Sequence, residues 1–369
     1  MNKRGILGVG VAILLAGTLH AQVGAVFEKE GLRFMIRSEY PFHVEVTENM
    51  YPSAEHVNIP YNVSYGLINY IVESVGPRAF EFDNLKSVNV SHSVNWLRDA
   101  CFRSTKLQRF VCPDDLYEIH NSAFDRCYEL DTVITNRKLK EIHEYAFKDC
   151  HNLHFINFPS TLQVIKEHAF MACGFVNLTL PDVPFTMGKA AFSGCDSLAV
   201  LNLGSGITDI PEAAFEGHRL PQIIIPDQVR TIGTMAFKRQ SSFRPLVLVL
   251  LGKGVTNIER QAFLTSPGYI NDVICLAENP PACNAEAFNE MTYNYGNLYV
   301  PKNSINAYKE AETWKMFKNI REVNNEMIDG ICKTESRETE SPDIYNLSGH
   351  RITRPMHGIN IINGKKILK

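Results

Sequence analysis

Residues 142–159 read IHEYAFKDCHNLHFINFP, and this stretch contains one complete copy of a unit that recurs along the chain. Its Ala-Phe pair occurs nine times, and Cys101-Phe102 stands where one further pair is expected. Successive Phe residues of this column are 22 to 26 residues apart, and apolar residues stand five and fourteen positions before nearly all of them. Landmarks at so regular a spacing predict a repeat protein. The column consists of Phe80, Phe102, Phe124, Phe147, Phe170, Phe192, Phe215, Phe237, Phe263 and Phe288.

The repeats are too short to fold alone. A single unit cannot bury its own apolar stripe, but stacked units bury a continuous core in which each contacts only its neighbours. Within the unit, apolar Ile156 and Phe158 flank Asn157, an alternation typical of a half-buried strand. Pro159 ends this strand because it has no N–H to donate. We therefore predict a solenoid of about ten units at residues 66–292, with parallel strands about 4.8 Å apart and the Phe column as an inner ladder.

The composition is that of a folded, nearly neutral protein. The chain has 369 residues, of which 45% are hydrophobic and 21% charged, and these values exclude wholesale disorder. Lys and Arg number 37 and Asp and Glu 40, so the formal net charge is -3. No strong positive field favours nucleic acid or an anionic membrane, and we expect no nucleic-acid partner. Nine cysteines in a chain of this length are too few for a scaffold built on disulfides.

The N-terminal residues have the layout of a secretory signal peptide. Lys3 and Arg4 precede an apolar stretch over residues 5–17, and the small residue Ala21 stands at the expected cleavage point. We predict a signal peptide at residues 1–21 that is cleaved after Ala21, with cleavage after Ala25 as the alternative. The apolar stretch is too short to span a bilayer comfortably, so we do not expect an integral membrane protein. An uncleaved N-terminal anchor is the other interpretation.

The segments on either side of the array predict caps. Residues 22–65 contain short alternating apolar runs bounded by Gly and Pro, which predict an N-terminal β cap. Residues 293–322 contain a last strand and then Ser304, which can cap a helix from about Ile305 to Phe317. Apolar residues at every third position of this helix would cover the open end of the last repeat, as a terminal cap must. A helix that docks into the groove of a partner is the alternative.

Two further segments follow the caps. Residues 323–342 are rich in Glu, Asn, Lys, Ser and Thr, and they predict a polar linker. Residues 343–369 contain β-rich runs on either side of Asn363-Gly364, a dipeptide typical of two-residue hairpin turns. The last segment therefore predicts a short β-hairpin.

The unit at residues 142–159, with its Ala-Phe pair, Cys150 and Leu153 at fixed spacing, resembles the repeats of the BspA-like leucine-rich repeat proteins of the bacterial cell surface. This resemblance extends over the array and both caps. It implies a leucine-rich repeat array with a parallel sheet, an N-terminal β cap and a C-terminal helical cap. It also implies adhesion to host or neighbouring-cell macromolecules. The C-terminal segment is similar to those of many proteins exported by the same bacteria, which leaves sorting or surface retention and a small folded cap as alternatives.

No catalytic motif occurs at the spacing that its chemistry requires. The chain has neither a P-loop nor a Gly-x-Ser-x-Gly nucleophile motif. His143-Glu144 lacks the second His of the zinc-protease motif. His151 and His154 are three residues apart, but this spacing falls on a turn and the start of a predicted strand, where we expect no third protein ligand. We therefore expect no enzymatic activity, no metal site and no cofactor.

Four cysteines stand three residues after successive members of the Phe column, namely Cys127, Cys150, Cys173 and Cys195. Stacked about 5 Å apart, they would lie within disulfide distance, and export makes oxidation possible. His218, Gln240 and Ser266 occupy the same column farther along, so the fold does not depend on thiols. We favour buried free thiols, which behave as small hydrophobic side chains. Cys332 in the linker is the thiol that we expect to be most exposed.

Two rows of outward-facing residues on the predicted strands form the candidate binding site. If the strands pair in parallel, both rows line one concave surface, the usual contact face of a solenoid. Exposed apolar residues among polar neighbours often mark protein contacts, although strand propensity alone is the alternative explanation for the β-branched members. No charge of a single sign lines the rows, which suits a protein or neutral glycan better than nucleic acid. The rows are Arg109, Thr132, Phe155, Asn177, Val200 and Gln222, and Val111, Ile134, Asn157, Thr179, Asn202 and Ile224.

Three functions are compatible with these patterns. The leading hypothesis is an exported, non-catalytic surface protein that binds an extracellular protein or glycan through the concave face. The second is a structural component of the cell envelope that assembles with partner proteins. The third is a glycan-active enzyme, for which no carboxylate pair and no nucleophile–base pair is present at a motif spacing.

Overall fold

The computed structural model describes residues 22–239 and 245–324, together with the backbone of four short strands between residues 344 and 368. The predicted signal peptide at residues 1–21 lies outside the described residues. The same holds for Gln240 of the cysteine column, for Cys332 and for nearly all of the predicted linker.

Six strands form the N-terminal region, namely β1 (Val26–Lys29), β2 (Leu32–Glu39), β3 (Phe42–Asn49), β4 (His56–Ile59), β5 (Asn62–Tyr65) and β6 (Ile68–Val75). Along β2, the buried residues Leu32, Phe34 and Ile36 alternate with partly exposed ones, because successive side chains of a strand point to opposite faces. β1, β2 and β3 pair antiparallel, whereas β3 pairs in parallel with β6. This sheet continues into the repeats and closes their first end.

Two kinds of strand then alternate along the repeats. In chain order they are β7 (Ser87–Val90), β8 (Trp96–Leu97), β9 (Arg109–Val111), β10 (Glu118–Ile119), β11 (Thr132–Ile134), β12 (Glu141–Ile142), β13 (Phe155–Ile156), β14 (Val164–Ile165), β15 (Asn177–Thr179), β16 (Thr186–Met187), β17 (Val200–Asn202), β18 (Asp209–Ile210), β19 (Gln222–Ile225), β20 (Thr231–Ile232), β21 (Leu248–Leu251), β22 (Asn257–Ile258), β23 (Asp272–Cys275) and β24 (Ala282–Cys283). We call the odd-numbered strands the face strands. The even-numbered strands, of two residues each, form the second row of the solenoid.

Pairing between neighbouring repeats is parallel in both rows. Val133 of β11, for example, lies opposite Phe110 of β9 and Ile156 of β13. These residues occupy the same position of their repeats, so the sequence columns become columns in space. The predicted repeat solenoid with parallel strands is confirmed.

The Phe column forms one continuous ladder of stacked rings through the core. Consecutive ring centroids from Phe80 to Phe288 are 5.1 to 5.6 Å apart. In the middle of the array the planes of Phe147 and Phe170 differ by only 3°. Every ring of the column is buried. The inner ladder predicted from the spacing is therefore confirmed.

A second ladder, made of backbone hydrogen bonds, runs beside the rings. The N–H of Phe147 donates to the carbonyl oxygen of Ala169 in the next repeat at 2.7 Å, and the N–H groups of Tyr145 and Asp149 donate to that repeat at 3.3 and 2.8 Å. Tyr145 and Asp149 have φ values of 58° and 59°, and most repeats place a residue with positive φ two positions before the Phe, usually not glycine. A non-glycine residue in this conformation costs about 1–2 kcal/mol. The bonds to the next turn offset that cost.

The C-terminal cap has two short helices and two strands, with single 3₁₀ turns between them. In chain order the elements are α1 (Glu290–Tyr295), β25 (Asn297–Val300), a 3₁₀ turn (Lys302–Ser304), α2 (Ile305–Glu310), a second 3₁₀ turn (Trp314–Met316) and β26 (Asn319–Glu322). β25 and β26 extend the ladder of face strands in parallel.

The prediction of a single helix from Ile305 to Phe317, capped by Ser304, was wrong, and a continuous helical cap is not present. α2 ends after Glu310, Ala311 is extended, and Ser304 makes no side-chain capping bond. An apolar residue at every third position suits a 3₁₀ winding, because an α-helix has 3.6 residues per turn and would rotate such a stripe around its axis.

The aromatic residues of this segment nevertheless cover the last repeat. Trp314 Nε1 donates to the carbonyl oxygen of Pro281 at 2.8 Å, and this bond holds the second 3₁₀ turn against the array. The ring of Phe317 lies 5.6 Å from that of Phe288, the last member of the column. The apolar stripe therefore packs against its own chain.

The four column cysteines are buried and form no disulfide within the described part of the chain. Each thiol donates to the carbonyl oxygen of a column Phe, at 3.0 Å for Cys127 and 3.4 Å for Cys195. Burial raises the pKa of both thiols to about 12. His218, in the same column, is also buried: its Nε2 donates to the carbonyl oxygen of Phe237 at 3.1 Å, and its Nδ1 accepts the N–H of Leu220 at 3.0 Å.

Four strands are described beyond residue 324, namely β27 (Ile344–Asn346), β28 (Arg351–Ile352), β29 (Ile359–Ile362) and β30 (Lys365–Leu368). They pair antiparallel in the order β28-β27-β29-β30. Ile362 lies opposite Lys365, and the predicted turn residues Asn363 and Gly364 between them lie outside the described residues.

We predict that Phe170→Ala lowers the free energy of unfolding by about 3–5 kcal/mol, because it removes one buried ring from the middle of the ladder. Chemical denaturation of the two proteins measures this difference. The matched control is Phe82→Ala, since the Phe82 side chain is 68% exposed. A loss below about 1 kcal/mol for Phe170→Ala would contradict the ladder.

We predict that Cys127, Cys150, Cys173 and Cys195 remain reduced and react with iodoacetamide only after unfolding. The raised pKa leaves almost no thiolate at pH values well below it, and the thiolate is the reactive form. Mass spectrometry of the unreduced, alkylated protein from its native envelope provides the measurement. A dominant crosslink between Cys150 and Cys173 would overturn this interpretation.

Candidate binding surface

The two predicted rows lie on six face strands, β9 to β19, except for Asn157, which directly follows β13. We call their twelve residues the strand face. The register brings equivalent residues together within each ladder: Thr132 lies opposite both Arg109 and Phe155. Farther along, Asn177 lies opposite Val200. Residues of one sequence column therefore lie opposite each other wherever two of these strands are paired.

The exposure of the strand face is uneven. Val111 is 48% exposed, and Asn177, Thr179 and Asn202 are exposed as well. The half-buried members are Arg109, Phe155, Asn157, Val200, Gln222 and Ile224.

Thr132 and Ile134 are buried, contrary to the expectation that they face solvent. Both lie on β11, which is paired on either side. The longer side chains of Arg109 and Phe155 stand opposite Thr132, and its hydroxyl donates to Asp131 Oδ1 at 2.5 Å. A short side chain between two longer neighbours has little surface left, so the middle of the first ladder offers less contact area than the sequence indicated.

The strand face is also not one continuous sheet. The ladder of hydrogen bonds breaks between β13 and β15 and again between β17 and β19, which leaves three separate sheets. At the first break the core residue Phe175 follows Cys173 by two positions, whereas Leu153 follows Cys150 by three. The second break shows the same loss of one residue. A shorter connection displaces the strand that follows it, and the backbone groups of the two strands no longer face each other.

Two asparagines of the strand face have structural roles. Asn157 Oδ1 accepts the N–H of Thr135 at 2.9 Å, and Thr135 Oγ1 donates to the Asn157 carbonyl oxygen at 2.5 Å. Asn202 Oδ1 accepts the N–H of Gly204 at 2.9 Å, which fixes the bend after β17. Burial lowers the pKa of Arg109, the single charged residue among the twelve. The remaining polar contacts available to a ligand come chiefly from Asn177 and Thr179.

A groove lies at the C-terminal end of the Phe column, and the sequence analysis missed it. This groove has a volume of about 480 Å³. It forms where no further Ala-Phe turn follows Phe288, so the end of the repeated motif was the signal that could have located it. The groove is lined by Gln261, Leu264, Ala285, Glu286, Phe288, Asn289, Glu290, Tyr293, Asn294, Met316 and Lys318.

Neither surface resembles a metal centre. Among the residues that the structure describes, no group of three or more His, Cys, Asp or Glu side chains could hold a metal ion. The Nδ1 atom of His151 lies 2.9 Å from the carbonyl oxygen of Ala172, so this ring is already engaged with the backbone. Within the same described ranges, no helix has both the length and the apolar character needed to cross a membrane.

Comparison with known proteins identifies repeats of one type along the array. The family model for the BspA type leucine rich repeat region matches residues 58–175 and 165–292 with six copies. No curated protein matches the chain.

Several solved structures are similar to this chain. A leucine rich cell surface protein from Faecalibacterium prausnitzii is 18% identical, over 83% of this chain and 97% of that one, with a TM-score of 0.41. A leucine-rich repeat protein from Bacteroides ovatus is 20% identical, over 80% and 78%, with a TM-score of 0.43. The pneumococcal vaccine antigen PcpA is 15% identical, over 82% and 100%, with a TM-score of 0.42.

The repeat match covers well over half of the chain and coincides with the stacked turns, the Phe ladder and the parallel strands. The chain therefore belongs to the BspA type leucine-rich repeat family.

Proposed function

We propose that this protein is exported to the bacterial cell surface and binds host or neighbouring-cell macromolecules through the strand face, without catalysing a reaction. Membership of the BspA type family supports this proposal. The descriptions of similar structures as a cell surface protein and a vaccine antigen agree with a surface location.

The observation that carries the proposal is the composition of the strand face. It combines the exposed side chain of Val111 and the half-buried ring of Phe155 with the exposed polar groups of Asn177, Thr179 and Asn202. Apolar surface among polar neighbours is typical of protein contact sites. Because Arg109 is its single charged residue, the surface suits an extracellular protein or a neutral glycan.

A structural role in the cell envelope is the second candidate function. The groove at the end of the Phe column favours it, since a groove between the last repeat and its cap offers a place for a partner protein to assemble. An envelope scaffold and an adhesin differ in their partners, so a binding screen that identifies the partner distinguishes the two functions.

We predict that Phe155→Asp combined with Asn177→Asp weakens ligand binding at least about tenfold. The two new carboxylates place charge on a nearly neutral surface and leave the Phe column intact. Ligands are first identified with the mature chain on a combined glycan and extracellular-protein array, and affinities are then measured in solution.

The matched control is Val164→Asp combined with Thr186→Asp. These residues lie opposite each other on β14 and β16 in the second row, and Val164 is half-buried like Phe155. The control is expected to keep the affinity of the natural chain. Unchanged affinity in the strand-face variant would show that the binding site lies elsewhere on the molecule.

A further inference from the structure

Two hairpins of the N-terminal cap end in exposed apolar turns. Tyr40 lies in the turn between β2 and β3, and Leu67 lies in the turn between β5 and β6. Tyr40 is 92% exposed and Leu67 is fully exposed, the highest values among large hydrophobic side chains in the described part of the chain. We call residues 40–42 and 65–67 the cap tips, and none of these residues is charged.

The two cap tips lie side by side. β3 pairs in parallel with β6, and the register places His43 opposite Ile71. Each hairpin turn directly precedes one of these strands, so both turns lie at the same end of two neighbouring strands. The ring of Phe42 lies 5.6 Å from that of Tyr70, which shows that the two hairpins are in contact near their tips.

Aromatic packing holds the tips in a fixed position. The ring of Tyr65 stacks on that of Phe27 in β1, with 4.6 Å between the centroids, and Phe27 in turn lies 5.5 Å from Phe34 of β2. Phe27 and Phe34 are buried. A surface that is already ordered loses little conformational freedom when it binds.

The fold does not account for the apolar character of these turns. Gly66 supplies the positive φ of 62° that suits the first position of a tight hairpin turn. Leu67 at the next position is fully exposed and adds nothing to the core, and polar residues are the usual choice in turns. One exposed leucine is ordinary. Two neighbouring turns that both present large hydrophobic side chains indicate a contact surface.

The chain enters the cap at this same end. The N–H of Gly24 donates to the carbonyl oxygen of Ile36 at 2.8 Å, so the residues before β1 run beside the last part of β2 toward the turn at Tyr40. The apolar stretch at residues 5–17, predicted as an export signal with an uncleaved anchor as the alternative, is connected to the cap here. In either case, a membrane that holds this stretch faces the cap tips.

The charge of the cap selects the type of lipid. Residues 22–75 contain three Lys and Arg residues, seven Glu residues and no Asp, a net charge of -4 with His neutral. Arg37 already pairs with Glu45, and Glu39 directly precedes Tyr40. Because anionic lipid creates a negative surface potential that repels such a cap, zwitterionic phospholipid is favoured.

Projecting turns suit a lipid surface better than a protein surface. Two turns of three residues each offer far less area than the roughly 800 Å² that each partner buries in a standard protein interface. Lipid headgroups and acyl chains, by contrast, rearrange around a projecting side chain. Tyr is enriched at membrane–water interfaces because its ring is apolar and its hydroxyl is polar.

We propose that the cap tips insert Tyr40, Phe42 and Leu67 into the interface of a zwitterionic phospholipid bilayer and hold the N-terminal end of the solenoid against the membrane. The contact is made by side chains alone and is separate from the strand face. It goes beyond the proposed function because it names the surface on which the protein rests.

Co-sedimentation of the mature chain with sucrose-loaded vesicles of phosphatidylcholine and phosphatidylethanolamine in equal parts tests the proposal. The signal peptide is left out because its apolar stretch would bind lipid by itself. Tyr40→Asp combined with Leu67→Asp is expected to lower the partition coefficient at least about tenfold, since charges replace two apolar side chains that leave water on binding. The matched control, Phe82→Asp combined with Tyr128→Asp, changes two exposed aromatic residues of the array and is expected to bind like the natural chain.

Fluorescence provides a second readout that keeps the tip apolar. In Leu67→Trp, the emission is expected to shift to shorter wavelength with vesicles and to be quenched by brominated phosphatidylcholine. Phe82→Trp is expected to show neither change. The natural Trp96 is half-buried and Trp314 is buried, and both give the same background in the two variants.

Four outcomes would overturn the proposal. The first is a natural chain that does not sediment with the vesicles, and the second is binding that the two tip substitutions leave unchanged. The third is binding that requires phosphatidylglycerol, which would make the attraction electrostatic. The fourth is a natural chain that is dimeric in solution while the tip variant is monomeric, which would make a second copy the occupant of the tips.

The strand-face variant Phe155→Asp with Asn177→Asp is expected to bind the vesicles like the natural chain. The tip variant is expected to keep its affinity for any ligand of the strand face. A failure at one surface is therefore distinguishable from a failure at the other.

Discussion

The hydrogen bond from each column Phe to the next Ala-Phe turn is the interaction on which the rest of the solenoid depends. It brings successive turns close enough for their rings to stack, as the 5.1 Å between Phe147 and Phe170 shows. The small Ala side chain leaves the carbonyl beside it accessible to the preceding turn. Backbone bonding and ring packing therefore act in the same place in every repeat, and this common anchor makes units that are unstable alone stable as a stack.

A fixed turn leaves the neighbouring segments free to vary. The face strands start a few residues after each turn, and the loss of one residue between Cys173 and Phe175 is enough to interrupt their ladder. A Cβ on Gly174 would lie only 2.1 Å from the carbonyl oxygen of His151, so the shortened connection passes very close to the preceding repeat. The array tolerates such changes because its core is held by the turns, and the strand face can diversify without loss of the fold.

The two ends of the stack are closed by different caps. Asn49 donates its N–H to the carbonyl oxygen of Ala79 in the first turn, whereas the aromatic residues of the C-terminal cap cover the ring of Phe288. Covering the ring removes apolar surface from water, and this burial stabilises the end of the array. The strand face and the groove thus lie at different places: the first is formed by the face strands, and the second lies between the last repeat and its cap.

The sequence by itself determined the length of the repeat, the buried columns, the parallel stacking and the family. These features depend on a residue spacing that recurs in every repeat. It did not reveal the left-handed turn residues such as Tyr145, since no glycine marks them and bonds to the next repeat stabilise them. Only the tertiary structure decided that Thr132 and Ile134 are buried, that α2 ends after Glu310, and that a groove remains beside Phe288. Each of these outcomes depends on contacts between different repeats or between a repeat and its cap, which the spacing of residues within one unit does not contain.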